Sequence, residues 1–252
     1  MTHTLLFLCP LIMIAGMVDS IAGGGGLISL AAYYAAGLPP HLALGNNKFS
    51  SLWGTAVACW RYIRSGHVRW SLALSSAVGA LVGSALGARL SLFMDERFLR
   101  ILLLVVVPAL AMFILWKPDF GTRRKDMSLS MTVILAIASG FVTGGYDGFF
   151  GPGAGMFMTF AFTAVLGLDI VTASGNARIV NLSSNLAALV TFILHGNVDF
   201  SIGVPCAIFG IIGNYIGSGL AIKGGGKVIR PVMAGVLVLL LLKIVSDMFH
   251  LF

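Results

Sequence analysis

Apolar stretches of about twenty residues recur along the whole chain, and a helix that spans a bilayer needs about that many. The charges between them are few: 10% of the 252 residues are charged, against 58% apolar. A soluble domain usually carries about 25% charged residues, so this chain has too few to cover a water-facing surface. The same figures exclude a disordered chain, a fibrous repeat and a secreted disulfide scaffold. What remains is an all-α polytopic membrane protein. At about 20 residues per crossing, the chain allows at most about ten or eleven crossings, with no room for a separate soluble domain.

The first stretch, Leu5–Met17, resembles a secretory signal, but residues 1–4 contain no Lys or Arg, which a signal's leading region should have. It also runs through Asp19 into Gly23, Gly24, Gly25 and Gly26. It reads as the first membrane helix. The three cysteines, Cys9, Cys59 and Cys206, lie in apolar stretches without partners at metal or redox spacing, and read as packing residues. The net charge of +7 comes with no basic stripe interleaved with aromatics, so nucleic acid is not an expected partner. Cytoplasmic anchoring charge explains the excess, and an anionic cargo is the other reading.

Charges, glycines and prolines divide the chain into ten segments, near 4–22, 26–38, 42–63, 70–91, 98–116, 128–147, 154–167, 172–194, 201–222 and 228–249. Eight are long enough to cross. The second and seventh are short and follow glycine-rich breaks, so they are half-helices, re-entrant segments or short crossings. The hydrophilic stretch Lys117–Asp126 lies near mid-chain, which points to an internal repeat. Sliding residues 37–90 by 130 positions gives fifteen identities in 54, among them Gly45/Gly175, Asn46/Asn176, Gly66/Gly196, Gly83/Gly213 and Gly87/Gly217. Upstream, an offset of 128 pairs Asp19 with Asp147 and Gly23 with Gly151. The chain therefore reads as a single membrane transport domain of two five-segment halves: repeat one at 1–116, a cytoplasmic linker at 117–127 and repeat two at 128–252.

Five crossings per half would turn the second half upside down. In that arrangement one side collects Arg61, Arg64, Arg69, Lys117, Arg123, Arg124, Lys125, Lys223, Lys227 and Arg230, and the other only Arg89, Arg97, Arg100 and Lys243. Ten against four satisfies the positive-inside rule. If the two short segments are re-entrant, the count becomes seven against seven. Inverted repeats with ten crossings are the better arrangement, and both termini then lie on the periplasmic side.

No catalytic signature is present: there is no His-Glu-x-x-His, no Gly-x-Ser-x-Gly and no phosphate loop. The five histidines, His3, His41, His67, His195 and His250, fall at segment ends, where an interfacial place is the default. An enzyme is not expected, nor a cofactor. The breaks at residues 19–26 and 147–155 are more informative. Each interrupts a helix and starts a new one, whose N-terminus carries free N–H groups and about half a positive charge. Broken helices at matching repeat positions mark a transporter's binding site. Gly24, Gly25, Gly26, Gly151, Gly153 and Gly155 are therefore candidate anion-cradle residues, although small residues also serve close helix packing.

Lys48 and Arg178 are mates at offset 130, each about six residues into its segment. In the inverted arrangement both reach toward the midplane, where a cation costs about 2.5–3.5 kcal/mol and so calls for a function. Snorkelling to the interface, or pairing with Asp19 or Asp147, are the alternatives. Asn46, Asn47 and Asn176 would add hydrogen bonds to a bound anion. Asn176, Asn181 and Asn185 are taken to lie near one helix face. Gly79, Gly83 and Gly87, with Gly210, Gly213 and Gly217, read as tight helix contacts.

The residues Asp19 to Gly26, Gly37 to Lys48, Arg61-Tyr62 and Gly66-His67-Val68, with Asp147 to Gly153 in the second half, resemble the sulfite exporter TauE/SafE family over nearly the whole chain. The resemblance implies a permease of the bacterial inner membrane that moves sulfur-containing anions such as sulfite, sulfonates or thiosulfate, usually outward. It also implies an ion gradient, of protons or sodium, as the energy source. Asp19 and Asp147 are then candidates for coupling or gating, and rocking of the halves would expose the site to each side in turn. The lipid bilayer is the other partner, and a homodimer stays open. A passive anion channel is the alternative from another class. A metal-cation permease is weaker, since metal selectivity wants His or Cys clusters.

Overall fold

The computed structural model describes residues 2–94 and 128–249. The fifth expected segment, 98–116, and the linker 117–127 lie outside the described residues. The described residues form nine α-helices: α1 (Thr2–Ala22), α2 (Gly25–Ala35), α3 (Pro40–Arg64), α4 (Trp70–Phe93), α5 (Leu129–Phe149), α6 (Ala154–Ala164), α7 (Ile170–Leu194), α8 (Phe200–Gly224) and α9 (Gly226–Phe249). No strand occurs among the described residues.

Local chemistry sets the helix starts. Pro40 opens α3 in the first-turn position where a missing N–H costs nothing. At the matching place in α7, Asp169 caps instead, its carboxylate accepting from the N–H groups of Val171 at 3.2 Å and Thr172 at 3.0 Å. Asp199 does the same for α8 through Ser201 N–H, at 2.9 Å.

Among the described residues, five helices are both long and apolar enough to cross a membrane, α1, α4, α5, α7 and α8. The eight expected to cross were counted on length alone, and one of them, 98–116, lies outside the described residues. α3 has 25 residues but is more polar, because Asn46, Asn47, Lys48, Ser50 and Thr55 all lie on it and are buried. Its polar face is turned inward, away from lipid. α2 and α6 have 11 residues each, about 16 Å at ~1.5 Å per residue, or roughly half of a ~30 Å hydrocarbon core.

The molecule is polar within and apolar without. Trp70, Leu74, Val78, Val82, Leu86 and Leu90 are exposed at a four-residue spacing along α4, while Lys48, Asp147, Arg178 and the asparagines are buried. An exposed apolar surface of this kind suits lipid. The three cysteines are buried free thiols.

Helix packing crosses between the halves of the chain. α1 packs mainly on α8, and α4 on α5. Both contacts are made by glycines that let backbones touch. A Cβ on Gly213 or Gly217 would fall on the Met13 or Met17 carbonyl; a Cβ on Gly83 or Gly87 would fall on the Phe141 or Gly145 carbonyl. The tight-contact reading of these glycines therefore holds, with no role left for them in cargo binding. α3 and α7 meet at the centre, with Gly45 against the Asn197 carbonyl and Gly175 against the His67 carbonyl. The start of each helix lies beside the end of the other, so the two run antiparallel.

Candidate functional site

Two interruptions shape the centre of the protein. Gly23 and Gly24 separate α1 from α2, and residues 150–153 separate α5 from α6. Gly153 caps α6 with φ 75° and ψ 0°, and Gly23 has φ 84°, left-handed conformations that glycine alone adopts at little cost. The breaks abut each other: a Cβ on Gly23 would lie 2.6 Å from Gly155 Cα, and one on Gly26 would lie 3.4 Å from the Gly151 carbonyl oxygen. Gly25 sits against the Ala15 carbonyl and 2.5 Å, from its Cβ position, to Asp19 Cβ. Gly24 packs beneath Val236 of α9. The second break is pinned by the Tyr146 hydroxyl, which donates to the Pro152 carbonyl at 2.7 Å.

Both buried cations point at these breaks, and each is held by a carboxylate from the other half of the chain. Lys48 Nζ of α3 lies 2.8 Å from Asp147 Oδ1 of α5, with side-chain exposures of 1% and 3%. Arg178 Nη1 of α7 lies 3.0 Å from Asp19 Oδ2 of α1, with exposures of 1% and 18%. Arg178 Nη1 also donates to the Asp19 carbonyl at 2.9 Å, and its Nε has no partner. Gly151 lies near Lys48 Nζ, and Gly155 near Arg178 Nη2, at 3.5 Å and 2.6 Å from their Cβ positions.

The two pairs differ in their surroundings. Asp147 is fully engaged: besides Lys48 it accepts from the Ser184 hydroxyl and, at 3.5 Å, from Asn181 Nδ2. Lys48 donates as well to Asn185 Oδ1 at 3.2 Å, and Asn185 Nδ2 donates to Asn181 Oδ1 at 3.3 Å. Asp19 is more open, and its Oδ1 accepts from the Gly25 N–H at 3.3 Å. An anion therefore already occupies the N-terminus of α2, and it is the protein's own.

The other expected polar residues are placed elsewhere. Asn46 Nδ2 turns back to the Leu42 carbonyl at 2.9 Å, and its Oδ1 has no partner. Asn176 Nδ2 returns to the Thr172 carbonyl at 2.7 Å, and its Oδ1 receives the Arg69 N–H at 3.2 Å, holding the start of α4. Asn47 Oδ1 accepts from the Ser29 hydroxyl at 2.6 Å, tying α2 to α3. Asn176 does not share a face with Asn181 and Asn185. Five residues at ~100° each leave a ~140° offset, whereas Arg178, Asn181 and Asn185, three and four apart, line up. That spacing was the available signal for Asn181 and Asn185. Ser184 and Tyr146 carried none.

A family profile described as sulfite exporter TauE/SafE matches residues 8–244. A probable membrane transporter protein, ORF9 of a Sinorhizobium species, is 33% identical over 98% of this chain and 95% of its own length. The probable membrane transporter protein YfcA of Escherichia coli K12 is 35% identical over 93% of this chain and 87% of its own. One from Haemophilus influenzae is 32% identical, covering 93% and 91%. No solved structure matches the chain at a significant level. Helices apolar enough to span a bilayer, a buried charged centre between broken helices, and this likeness along nearly the whole length agree: the chain belongs to the TauE/SafE family of membrane transporters.

Proposed function

We propose that the protein is a secondary transporter of the bacterial inner membrane that exports small sulfur-containing anions, such as sulfite, sulfonates or thiosulfate, by alternating access. The observation that carries this reading is the placement of two buried ion pairs, Lys48–Asp147 and Arg178–Asp19, at abutting helix breaks. The Arg178 guanidinium and the α2 N-terminus both hold the Asp19 carboxylate. A small oxyanion offers the same acceptor oxygens, and charge-assisted bonds of this kind suit either. Cargo can take the carboxylate's place, and the released Asp19 then needs a proton or a cation. That exchange ties cargo to a coupling ion without a nucleotide.

Three observations support two inverted repeats of five crossings. Matching helices have equal or nearly equal lengths, 21 and 21, 11 and 11, 25 and 25, and 24 and 25 residues. The exchanged packing of α1 on α8 and α4 on α5 is what a two-fold relation would produce. The antiparallel course of α3 and α7 has the same origin. With the ten-to-four distribution of basic residues, the linker 117–127 then faces the cytoplasm and both termini face the periplasm. A lone cysteine near Lys125, in a variant lacking the other three, should react with an impermeant maleimide only after lysis. Labelling in intact spheroplasts would reverse the orientation.

Transport is tested in proteoliposomes. Vesicles preloaded with unlabelled sulfite should transiently concentrate external labelled sulfite, because a carrier exchanges cargo during its cycle. A passive anion channel, the competing reading, gives no such overshoot. Absence of any flux of sulfite, thiosulfate and a small sulfonate would remove the cargo assignment.

A further inference from the structure

A small cavity opens beside Asp19, with room of about 10 Å³ for the centre of a guest. That is about what one water-sized body needs. Its wall includes Asp19, Ser29, Ser50, Ser51, Gly210 and Asn214. Asn214 is 3% exposed, and its Oδ1 has no hydrogen-bond partner. Its Nδ2 donates to the Gly210 carbonyl at 2.9 Å, so the amide oxygen is what remains.

The hydroxyls are committed in the same sense. Ser29 Oγ faces only acceptors, Asn47 Oδ1 at 2.6 Å and the Gly25 and Gly26 carbonyls at 3.2 Å and 3.3 Å, so its proton points to one of them. Ser50 Oγ receives the Tyr33 hydroxyl at 3.1 Å and donates to the Asn47 carbonyl at 3.2 Å. Carboxylate, amide oxygen and hydroxyl oxygens thus present lone pairs, and hard cations take oxygen ligands of this kind. The link between α1 and α2 brings the negative end of the α1 dipole beside the Gly25 N–H that opens α2, and unwound links of this kind hold coupling ions in transporters.

The other carboxylate has no such shell. At the positions that match Ser50 and Asn214 at the offset of 130 stand Val180 and Ser84. Ser84 Oγ is spent on the Ser184 carbonyl at 2.6 Å, and Asp147 is closed in by Lys48, Ser184 and Asn181. The two sites therefore differ: one is a sealed pair, and the other is a partly exposed carboxylate that pairs with Arg178 and also lines a cavity with neutral oxygens.

The geometry points to a sodium site formed by Asp19, Asn214, Ser50 and Ser29. One carboxylate among neutral oxygens balances one monovalent charge, and the small cavity favours sodium over potassium. The site deepens the transport reading and rests on it for its role: cargo draws Arg178 away from Asp19, and sodium neutralises the carboxylate so released. Linkage then requires each ligand to tighten the other.

Full-length protein purified in detergent decides the matter through binding of tracer sodium, and through thermal shift in sodium chloride against equal concentrations of potassium and choline chloride. Wild type should bind sodium saturably, and sulfite should tighten that binding. Asn214→Ala and Ser50→Ala should each weaken it at least tenfold; if one fails to fold, the other and the salt comparison on wild type still decide. Equal shifts in all three salts, or unchanged sodium binding in both folded variants, would overturn the site. Sulfite binding with no sodium binding would overturn it while leaving the anion reading intact. Sodium binding with no binding of any anion would uphold the site and sink the cargo assignment instead.

Discussion

Asp147→Asn should lower stability by about 3–5 kcal/mol, because it leaves the Lys48 ammonium buried without its counter-charge. Lys48 is 1% exposed and has one further partner, the neutral Asn185 oxygen, which cannot replace a carboxylate. Thermal unfolding of the detergent-purified variant, or its monodisperse yield, measures the loss. Lys48→Met combined with Asp147→Leu should recover at least half of it, since replacing a buried pair by apolar groups of similar volume is often neutral. The recovery stops short of complete because the Ser184 hydroxyl and Asn181 amide lose their acceptor. A single variant as stable as wild type would mean that the pair is not sealed from solvent.

Arg178→Gln acts on binding more than on folding. Its partner Asp19 keeps 18% exposure and can take up a proton when left alone, so the structural penalty is smaller than at Asp147. On the proposed transport reading, the loss is a charge-assisted contact to cargo worth roughly 1.5–3 kcal/mol. Affinity for sulfite should then fall on the order of tenfold to a hundredfold, at 1.4 kcal/mol per tenfold. Arg178→Lys keeps the charge without the planar fork and should lie between the two. Asp19→Asn should move affinity the other way, tightening equilibrium binding, because it removes the internal anion that competes for Arg178 and the α2 N-terminus. The same variant should fail to accumulate cargo against a gradient. Binding titrations on folded protein separate these outcomes, and unchanged affinity in both Arg178→Gln and Lys48→Gln would place the cargo elsewhere.

The helices and the breaks were legible in the sequence because they follow from local rules. Apolar runs, Pro40, Asp169 and the glycine clusters each act within a few residues, and the nine expected segments that fall in the described residues agree with the helices to within three residues at either end. The offsets of 130 and 128 also identified the residues that matter as mates, Lys48 with Arg178 and Asp19 with Asp147. Their pairing was left open, since the partners are far apart in the chain, 159 positions for Arg178 and Asp19. Repeats announce equivalence, and only packing decides which equivalent groups touch. Asn46 and Asn176 stand beside the cations in sequence but turn about one side of the helix away, where each bonds the carbonyl four residues back. Residue type gave no sign of that rotation.

The exchange of partners between halves bears on how the protein is made. Met13 and Met17 of the first helix meet Gly213 and Gly217, some 200 positions later in the chain. During synthesis the first helix therefore enters the bilayer long before the surface that it grips exists. The glycine ridge of α4 waits in the same way for α5. Among the described residues, α1 and α4 find their main partners in the other half, so these contacts close only after the second half has been made. Contacts this distant slow folding and leave partly assembled chains exposed to misassembly. A ribosome-bound first half is thus a client for the insertion machinery rather than a finished domain, and the last helices to emerge set the moment at which the first becomes secure.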